Sequence, residues 1–512
     1  MFGQEGQFIN GKLMDAKTES PIPFATIKVK NKPKGVISNL DGGFKIPNEF
    51  KRMGDTLVVS SIGYISKEII LSNLNGDQIN IIRLSERIAM LDEVTVVGSK
   101  KVINWSASKI VRQAIDKISE NFPFKPFSYV GYYRDYQIKD GKYVNLNEAV
   151  LQVFDPGFDV ADLTETQTRI LFYKKNLDFP VDTIAAKPYD YLDKSKIIPN
   201  ATIDGLGGNE YIILRLHDAI RNYDVDAYDF VNRLKTDFLI NHDLSILPDT
   251  YIDNMLLYAI KISKTLENFQ VEGKMFISKG DFRIYKMEYG VHINEEPQRD
   301  EEGLFAKNPN LVKTINRKLL YRIIVEYQPH DGIMYPNYIS LNNSFDVLPP
   351  AKFKLTATKW GCGGECIELV FNNTLSAIDA FKKSKYSLRL KDTKLRIEKI
   401  NVKRNKVLIY PKETDMLFDY LVTQSTLAKH TNDLKLEVKN VSDIYGNVVN
   451  KQELLFYNQF REFFVQEIKP NEVRIFDTLN MIKTKPIFEG QPILAPENLS
   501  GYWINTPLNI NK

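Results

Sequence analysis

Between Gln7 and Gly98 the chain repeats one pattern, a short run of β-branched or aromatic residues closed by turn residues, and few folds other than a β-sandwich accept it. Phe24, Thr26 and Val29 form one run behind Pro21 and Pro23; proline is tolerated at a strand start, where no ladder donor is needed. Asp41-Gly42-Gly43, between Val36-Ile37 and Phe44-Lys45-Ile46, predicts a hairpin, because its turn requires positive φ. Leu57-Val58-Val59 is continuous and apolar, which predicts a strand buried on both faces and ended by Gly63-Tyr64. Ile79, Ile81, Ile82 and Leu84 predict a further strand, and Val94, Val96 and Val97 the last.

These residues also carry a resemblance. The order Gly11-Lys12, Asp15-Ala16, Pro21-Ile22-Pro23-Phe24-Ala25-Thr26-Ile27, then Ser38-Asn39 with Asp41-Gly42 and Phe44, then Ile62-Gly63-Tyr64, then Leu91, Glu93-Val94 and Val96 resembles the carboxypeptidase-regulatory-like domain. That domain is a transthyretin-like sandwich found at the front of many Gram-negative outer-membrane and surface proteins. Asn39 departs from the aspartate more common in the family. The resemblance implies a folding or docking module without peptidase residues.

The chain has 512 residues, enough for two to four domains. Its 68 basic and 64 acidic residues give no field suited to nucleic acid. The 26 Tyr and 29 Phe favour β-rich structure. No apolar run reaches the roughly 18 residues of a membrane-spanning helix. The chain is also too short for a large transporter barrel, with its plug, in addition to the first module. Met1-Phe2-Gly3-Gln4 leads into the first strand without a basic and apolar leader. With the resemblance, this gives the expectation that a signal peptide is missing from this chain and that the protein works in the cell envelope: periplasm, outer membrane or surface. A cytoplasmic location is the alternative.

Five segments are expected: the sandwich at 1–98, a linker at 99–125, a β-rich middle domain at 126–360, an immunoglobulin-like domain at 361–460, and a tail at 461–512 that packs back on the middle domain. In the linker, Ala107, Ile110, Val111, Ala114, Ile115 and Ile118 share one face of a helix. Ser106 is its N-cap, and Asn121 with Pro123 its stop. Tyr129 to Ile138 and Tyr143 to Phe154 predict a hairpin about Asp140-Gly141. Residues 160–200 read as a surface excursion. Strand-like runs follow at Tyr211–Leu216, Leu256–Ser263, Phe269–Ile277, Phe282–Ile293, Leu319–Tyr327 and Met334–Asn342. Their order is similar to the curved half-barrels of periplasmic lipoprotein-sorting and lipid-carrier proteins, which implies a concave face open to an apolar ligand or filled by side chains. Val441 to Val449, with Asp443, Gly446 and Asn447, resembles the end of bacterial immunoglobulin-like domains of surface proteins. The fold class expected is therefore mainly β and multi-domain: transthyretin-like sandwich, curved antiparallel middle sheet, immunoglobulin-like sandwich.

Chemistry-bearing patterns are few. His292 and Glu295, with His430 downstream, have the ligand types of a zinc peptidase, in which three protein ligands leave a position for water. His217-Asp218, His242-Asp243 and His330-Asp331 read as polar caps of strand ends and turns. Gly205 to Gly208 lacks the helix and Lys-Ser/Thr of a phosphate loop. Asp224, Asp226 and Asp229 lack the closing glutamate and glycine of a calcium loop. Cys362 and Cys366 are the only two cysteines. They form a candidate disulfide, which Gly363 and Gly364 would permit, or remain two thiols.

The reading is thus a non-enzymatic envelope protein with a structural or binding role. Its partner would be an envelope protein, a glycan or an apolar ligand, with peripheral or lipid-anchored membrane association, no transmembrane helix, no nucleic acid, and no catalytic residue, metal or cofactor. The competing class is a metal-dependent hydrolase, a zinc metallopeptidase, using His292 and Glu295.

Overall fold

A computed structural model gives a mainly β protein. It describes residues 8–87, 105–186, 196–197, 208–225, 230–295, 316–413, 415, 434–470 and 472–508, save short breaks at 140, 348, 362–364, 391–392, 453–454, 473–478 and 495–500. The chain forms two compact units, Met1–Phe345 with Phe456–Lys512, and Asp346–Leu455.

The first unit opens with β1 (Phe8–Asp15), β2 (Thr26–Val29), β3 (Gly35–Ile37), β4 (Gly43–Pro47), β5 (Thr56–Ser60), β6 (Lys67–Ile70) and β7 (Asn80–Leu84). They make two sheets, β4-β1-β7 and β3-β2-β5-β6. Alternate residues of β1 point inward, as a half-buried strand requires. Gly11 is necessary there: a Cβ would lie 2.2 Å from the Phe44 ring. The turn before β4 forms, with Gly42 at φ +77° and its N–H donating to the Asn39 carbonyl at 2.9 Å, but it closes no hairpin: β3 pairs with β2 and β4 with β1, so the chain crosses here from one sheet of the sandwich to the other. The apolar run in β5 is buried on one face only, since Val58 is half-buried between Leu57 and Val59. The strand predicted at Val94 to Val97 lies outside the described residues.

A large sheet follows, from β8 (Phe127–Lys139), β9 (Lys142–Asp155), β10 (Gln167–Lys175), the short β11 (Lys196–Ile197), β12 (Asp243–Ile252), β13 (Met255–Thr265), β14 (Phe269–Ser278), β15 (Ile284–Glu295), β16 (Asn316–His330) and β17 (Ile333–Val347). The chain then leaves for the second unit, with β18 (Leu355–Gly361), β19 (Cys366–Phe371), β20 (Tyr386–Leu390), β21 (Thr393–Leu395), β22 (Ile397–Lys403), β23 (Lys406–Pro411) and β24 (Leu434–Val438). It returns as β25 (Leu455–Pro470). The large sheet runs β10-β9-β8-β25-β17-β16-β15-β14-β13-β12, with β11 beside β17. Two antiparallel meanders are therefore joined through a strand that comes last in the chain.

The tail predicted to pack back on the middle domain instead enters the middle of its sheet, starting at Leu455, before the expected boundary at 460. The boundary expected at 360–361 falls inside the β18–β19 pair, where Trp360 aligns with Ile367 and Gly361 with Cys366. A glycine-rich stretch between two apolar runs reads equally as a linker or a hairpin, and here its flanks are paired. Within the second unit, β18-β19-β23-β22 and β21-β20-β24 enclose one core containing Phe353, Leu369, Leu388, Val407 and Val441.

Helix Ala107–Asp116 forms with its predicted stripe buried and its Ser106 cap accepting from Lys109 N–H at 3.3 Å. It breaks at Lys117, and a separate turn spans Ile118–Asn121. Tyr211–Leu216, expected as a strand, is instead part of helix Glu210–Leu216. The Asn209 side chain caps it, accepting from Ile212 N–H at 3.1 Å, and residues 211–216 are all buried, so no apolar periodicity revealed a helix. Part of the expected excursion at 160–200 is the paired strand β10.

Neighbouring residues of the central strands enter two different cores. Ile323, Ile339 and Phe463 face the helices, while Ile324, Tyr338 and Phe464 join the core of the N-terminal sandwich, together with Trp503 of the tail. The sheet is thereby covered on both faces.

Candidate functional site

The helix-facing side of the large sheet turns polar at one end. β8 carries Tyr133, Asp135 and Gln137 at alternate positions, and Asn147 of β9 lies opposite Asp135. The register shifts between Asp135 and Gln137, and nearby Asn145 takes a left-handed φ of 53°. Its amide Nδ2 donates to Gln137 Oε1 at 2.7 Å, and Gln137 Nε2 donates to Gln459 Oε1 at 2.6 Å. Arg461 of β25 donates through Nη1 to Asn343 Oδ1 at 2.6 Å and through Nε to the Glu210 carboxylate.

Asp135 is the chemically distinctive group. Its Oδ1 accepts from Asn147 Nδ2 at 2.9 Å and its Oδ2 from the Tyr133 hydroxyl at 3.1 Å. Burial, aided by the negative charge of Glu210, pushes its carboxyl up to about 7 against those two hydrogen bonds. Near neutrality this group exchanges between hydrogen-bond donor and acceptor.

Asp135, Gln137, Asn145 and Asn147 floor a cleft of about 210 Å³. Tyr173 of β10 and Phe488 stack along one wall, with centroids 4.6 Å apart and planes 21° apart. Asn209 ties down the segment carrying Phe488, since its Nδ2 donates to the Lys485 carbonyl at 2.9 Å. Lys175 and Glu489 stand exposed at the rim. The arrangement offers amides, the carboxyls of Asp135 and Glu210, and an aromatic face, a set suited to binding hydroxyls.

A second buried cluster is structural. Arg221 holds Asp155 through two bonds, Nε to Oδ2 at 2.9 Å and Nη2 to Oδ1 at 3.0 Å, and Arg215 reaches Asp155, Asp162 and the Tyr129 hydroxyl. Burial raises Asp162, but Arg215 and Arg221 outweigh it and hold the carboxyl at about 2. Only about 20 Å³ is open beside this cluster, room for one water.

The residues singled out in the sequence are dispersed. His292 lies on β15, between Gln270 and Leu319 of its neighbours, and Glu295 ends the same strand. His430 lies outside the described residues. Among the described residues, no group of three His, Cys, Asp or Glu could hold a metal ion. His217 stands in the turn after helix Glu210–Leu216, and His242 leads into β12, which begins at Asp243; each Nδ1 donates to the carbonyl of a preceding short helix, Ile213 at 2.7 Å and Phe238 at 2.9 Å. Burial lowers both rings to about 4, so each is neutral at pH 7. His330 ends β16, paired with Ile333, and Asp331 with Gly332 forms the hairpin turn to β17. Asp224 pairs with Lys235 at 3.0 Å, while Asp226, Asp229 and Gly205 lie outside the described residues. Asp443 organises its turn, its Oδ1 accepting from the N–H groups of Tyr445 and Asn447 at 3.0 and 2.9 Å. Cys366 is buried and disulfide-bonded; Cys362 lies outside the described residues.

None of the cleft residues stood out in the sequence. The available signal was Asp135 and Gln137 in the middle of a strand otherwise rich in tyrosine, where an inward polar residue is unusual.

Residues 9–96 match the CarboxypepD_reg-like domain, so the N-terminal sandwich is a domain of this kind, and the match is confined to it. No curated protein matches the chain. Among solved structures, a DUF1329 family protein from Desulfovibrio piger is similar over 47% of this chain and 87% of its own, at 7% identity and a TM-score of 0.23.

Proposed function

We propose that the protein is a non-enzymatic binding protein of the cell envelope whose ligand is a small hydroxyl-rich molecule, a saccharide unit, held in the cleft over Asp135. The observation that carries this reading is the cleft itself: a floor of Asp135, Gln137, Asn145 and Asn147 beside the stacked wall of Tyr173 and Phe488. Amides, and a carboxyl whose ionisation burial holds back, satisfy hydroxyls at less desolvation cost than a fully ionised group, and an aromatic face takes up the C–H side of a sugar ring. Its volume of about 210 Å³ lies below the roughly 300–1,000 Å³ of drug-sized sites, which suits a single sugar residue or one end of a chain. An apolar ligand is less well served, because Ile110, Val111, Ile115, Tyr211, Ile213 and Leu214 fill the middle of the same face. The envelope location rests on the company that regulatory-like modules keep, and cell fractionation tests it.

Saturation-transfer NMR with mono- and disaccharides tests the binding. The expected result is transfer to a saccharide that weakens at least about tenfold in Tyr173→Ala and in Gln137→Ala, a loss of about 1.4 kcal/mol. Transfer that is absent, or unchanged in both variants, counts against the reading.

A further inference from the structure

One end of the Asp346–Leu455 unit gathers exposed apolar side chains that its core does not use. Ile378 and Phe381 are 79% and 53% exposed at and just after the short helix Ala377–Ala380, and Ile444 and Tyr445 are 58% and 77% exposed on the Asp443–Asn447 turn. Backbone bonds hold these loops side by side. Ile444 N–H donates to the Thr374 carbonyl at 3.0 Å, and Ser376 N–H to that of Ser442 at 2.9 Å. Leu375 N–H donates to the Arg404 carbonyl at 2.8 Å, which brings the β22–β23 hairpin tip to the same end. The Ser442 hydroxyl donates to Asp379 Oδ2 at 2.8 Å and fixes the short helix to the turn.

The surroundings are basic. Lys382, Lys383, Lys403 and Arg404 are exposed around the four apolar residues. Of the nearby acids, Asp379 is bonded to Ser442 and paired with Lys382 at 3.3 Å, Asp443 is buried in its turn, and Glu398, whose backbone carbonyl accepts from Lys383, is exposed. Residues 346–455 hold 19 Lys and Arg against 13 Asp and Glu, whereas the whole chain holds 68 against 64, so the positive excess of the protein lies in this unit.

We propose that this end of the unit docks on an anionic lipid surface, with Ile378, Phe381, Ile444 and Tyr445 entering the headgroup region and the surrounding Lys and Arg meeting the lipid phosphates. Apolar side chains projecting from turns and ringed by cations match an interface whose depth is apolar and whose rim is negative. A protein partner would more often find a contiguous apolar core; here four separately exposed side chains stand on a short helix and a turn, with cations beside them.

Co-sedimentation of the full chain with vesicles of equal parts phosphatidylcholine and phosphatidylglycerol tests this. The expected result is binding that weakens as salt rises, is lost on pure phosphatidylcholine, and falls at least about tenfold both in Ile444→Asp with Tyr445→Asp and in Lys403→Glu with Arg404→Glu. All four residues are exposed, so an unchanged thermal midpoint is expected and shows that any loss is not unfolding. Vesicle binding that is absent, or equal in the wild type and both variants, overturns the proposal. Absent vesicle binding with retained binding of soluble poly-glutamate would overturn it in favour of an acidic polypeptide partner.

Discussion

Arg134 on β8 and Glu462 on β25 form a buried ion pair between adjacent strands, with 1% and 4% of their side chains exposed. The guanidinium also donates through Nη1 to the Asn39 side-chain oxygen, so the pair joins the sheet to the sandwich above it. Tyr338 donates to the other Glu462 oxygen at 3.1 Å. Asn39 stands where the resembling family more often has aspartate; here a neutral acceptor meets a guanidinium already balanced by Glu462, and a second carboxylate would leave excess buried charge. Arg134→Met should cost about 3–5 kcal/mol in denaturant unfolding, because it strands Glu462, and adding Glu462→Leu should restore part of that.

Asp135 should make stability pH-dependent. Its folded carboxyl titrates at about 7, above its ordinary 3.8, so the neutral form is the one that suits the fold. The stability it contributes is complete below 3.8 and is lost as pH rises through 7, by up to about 4 kcal/mol. His217 works in the opposite direction: with its folded value at about 4, it favours the fold above 6.5 and loses that contribution as pH falls toward 4. Asp135→Asn keeps the bonds to Asn147 and Tyr133 within reach. Its stability relative to wild type should therefore rise between pH 4 and pH 8, as read from thermal midpoints across that range.

Gly131 on β8 sits opposite Val465, and a Cβ there would lie 2.5 Å from both the Phe463 ring and the Phe464 carbonyl oxygen. One of these contacts is backbone and cannot swing away. Gly131→Ala should cost about 1–3 kcal/mol in urea unfolding; an unchanged midpoint would show that β25 can shift to admit it.

The insertion of the second unit between β17 and β25 also has a consequence. Those strands are neighbours in the sheet, and Phe345 stacks on Tyr457 at 5.4 Å and 12°, so the chain leaves and re-enters the first unit at nearly one point. Replacing residues 346–455 with a short Gly/Ser linker should leave the first unit folded, with its near-ultraviolet circular dichroism and a cooperative transition retained. Loss of that transition would show that the second unit is needed for β25 to enter the sheet.

What the sequence determined by itself is local. The sandwich was legible because its turns demand particular residues, Asp41-Gly42 above all, and because short runs of β-branched and aromatic residues stand between them. Helix Ala107–Asp116 was legible from its stripe and its Ser106 cap, and the mainly β character from the runs of β-branched and aromatic residues. Tertiary structure decided what depends on distant partners. Helix Glu210–Leu216 is buried all round, which removes the periodicity that separates helix from strand. Leu455–Pro470 looks irregular because Phe463 and Phe464 enter two different cores, and only the gap between β8 and β17 tells where it belongs. The cleft is assembled from β8, β9, β10, a helix start and the tail. Asp135 gains its character from burial and from Glu210, 75 residues away. Backbone preference acts between near neighbours and is written in order along the chain; burial and charge act through space, and no local run of residues records them.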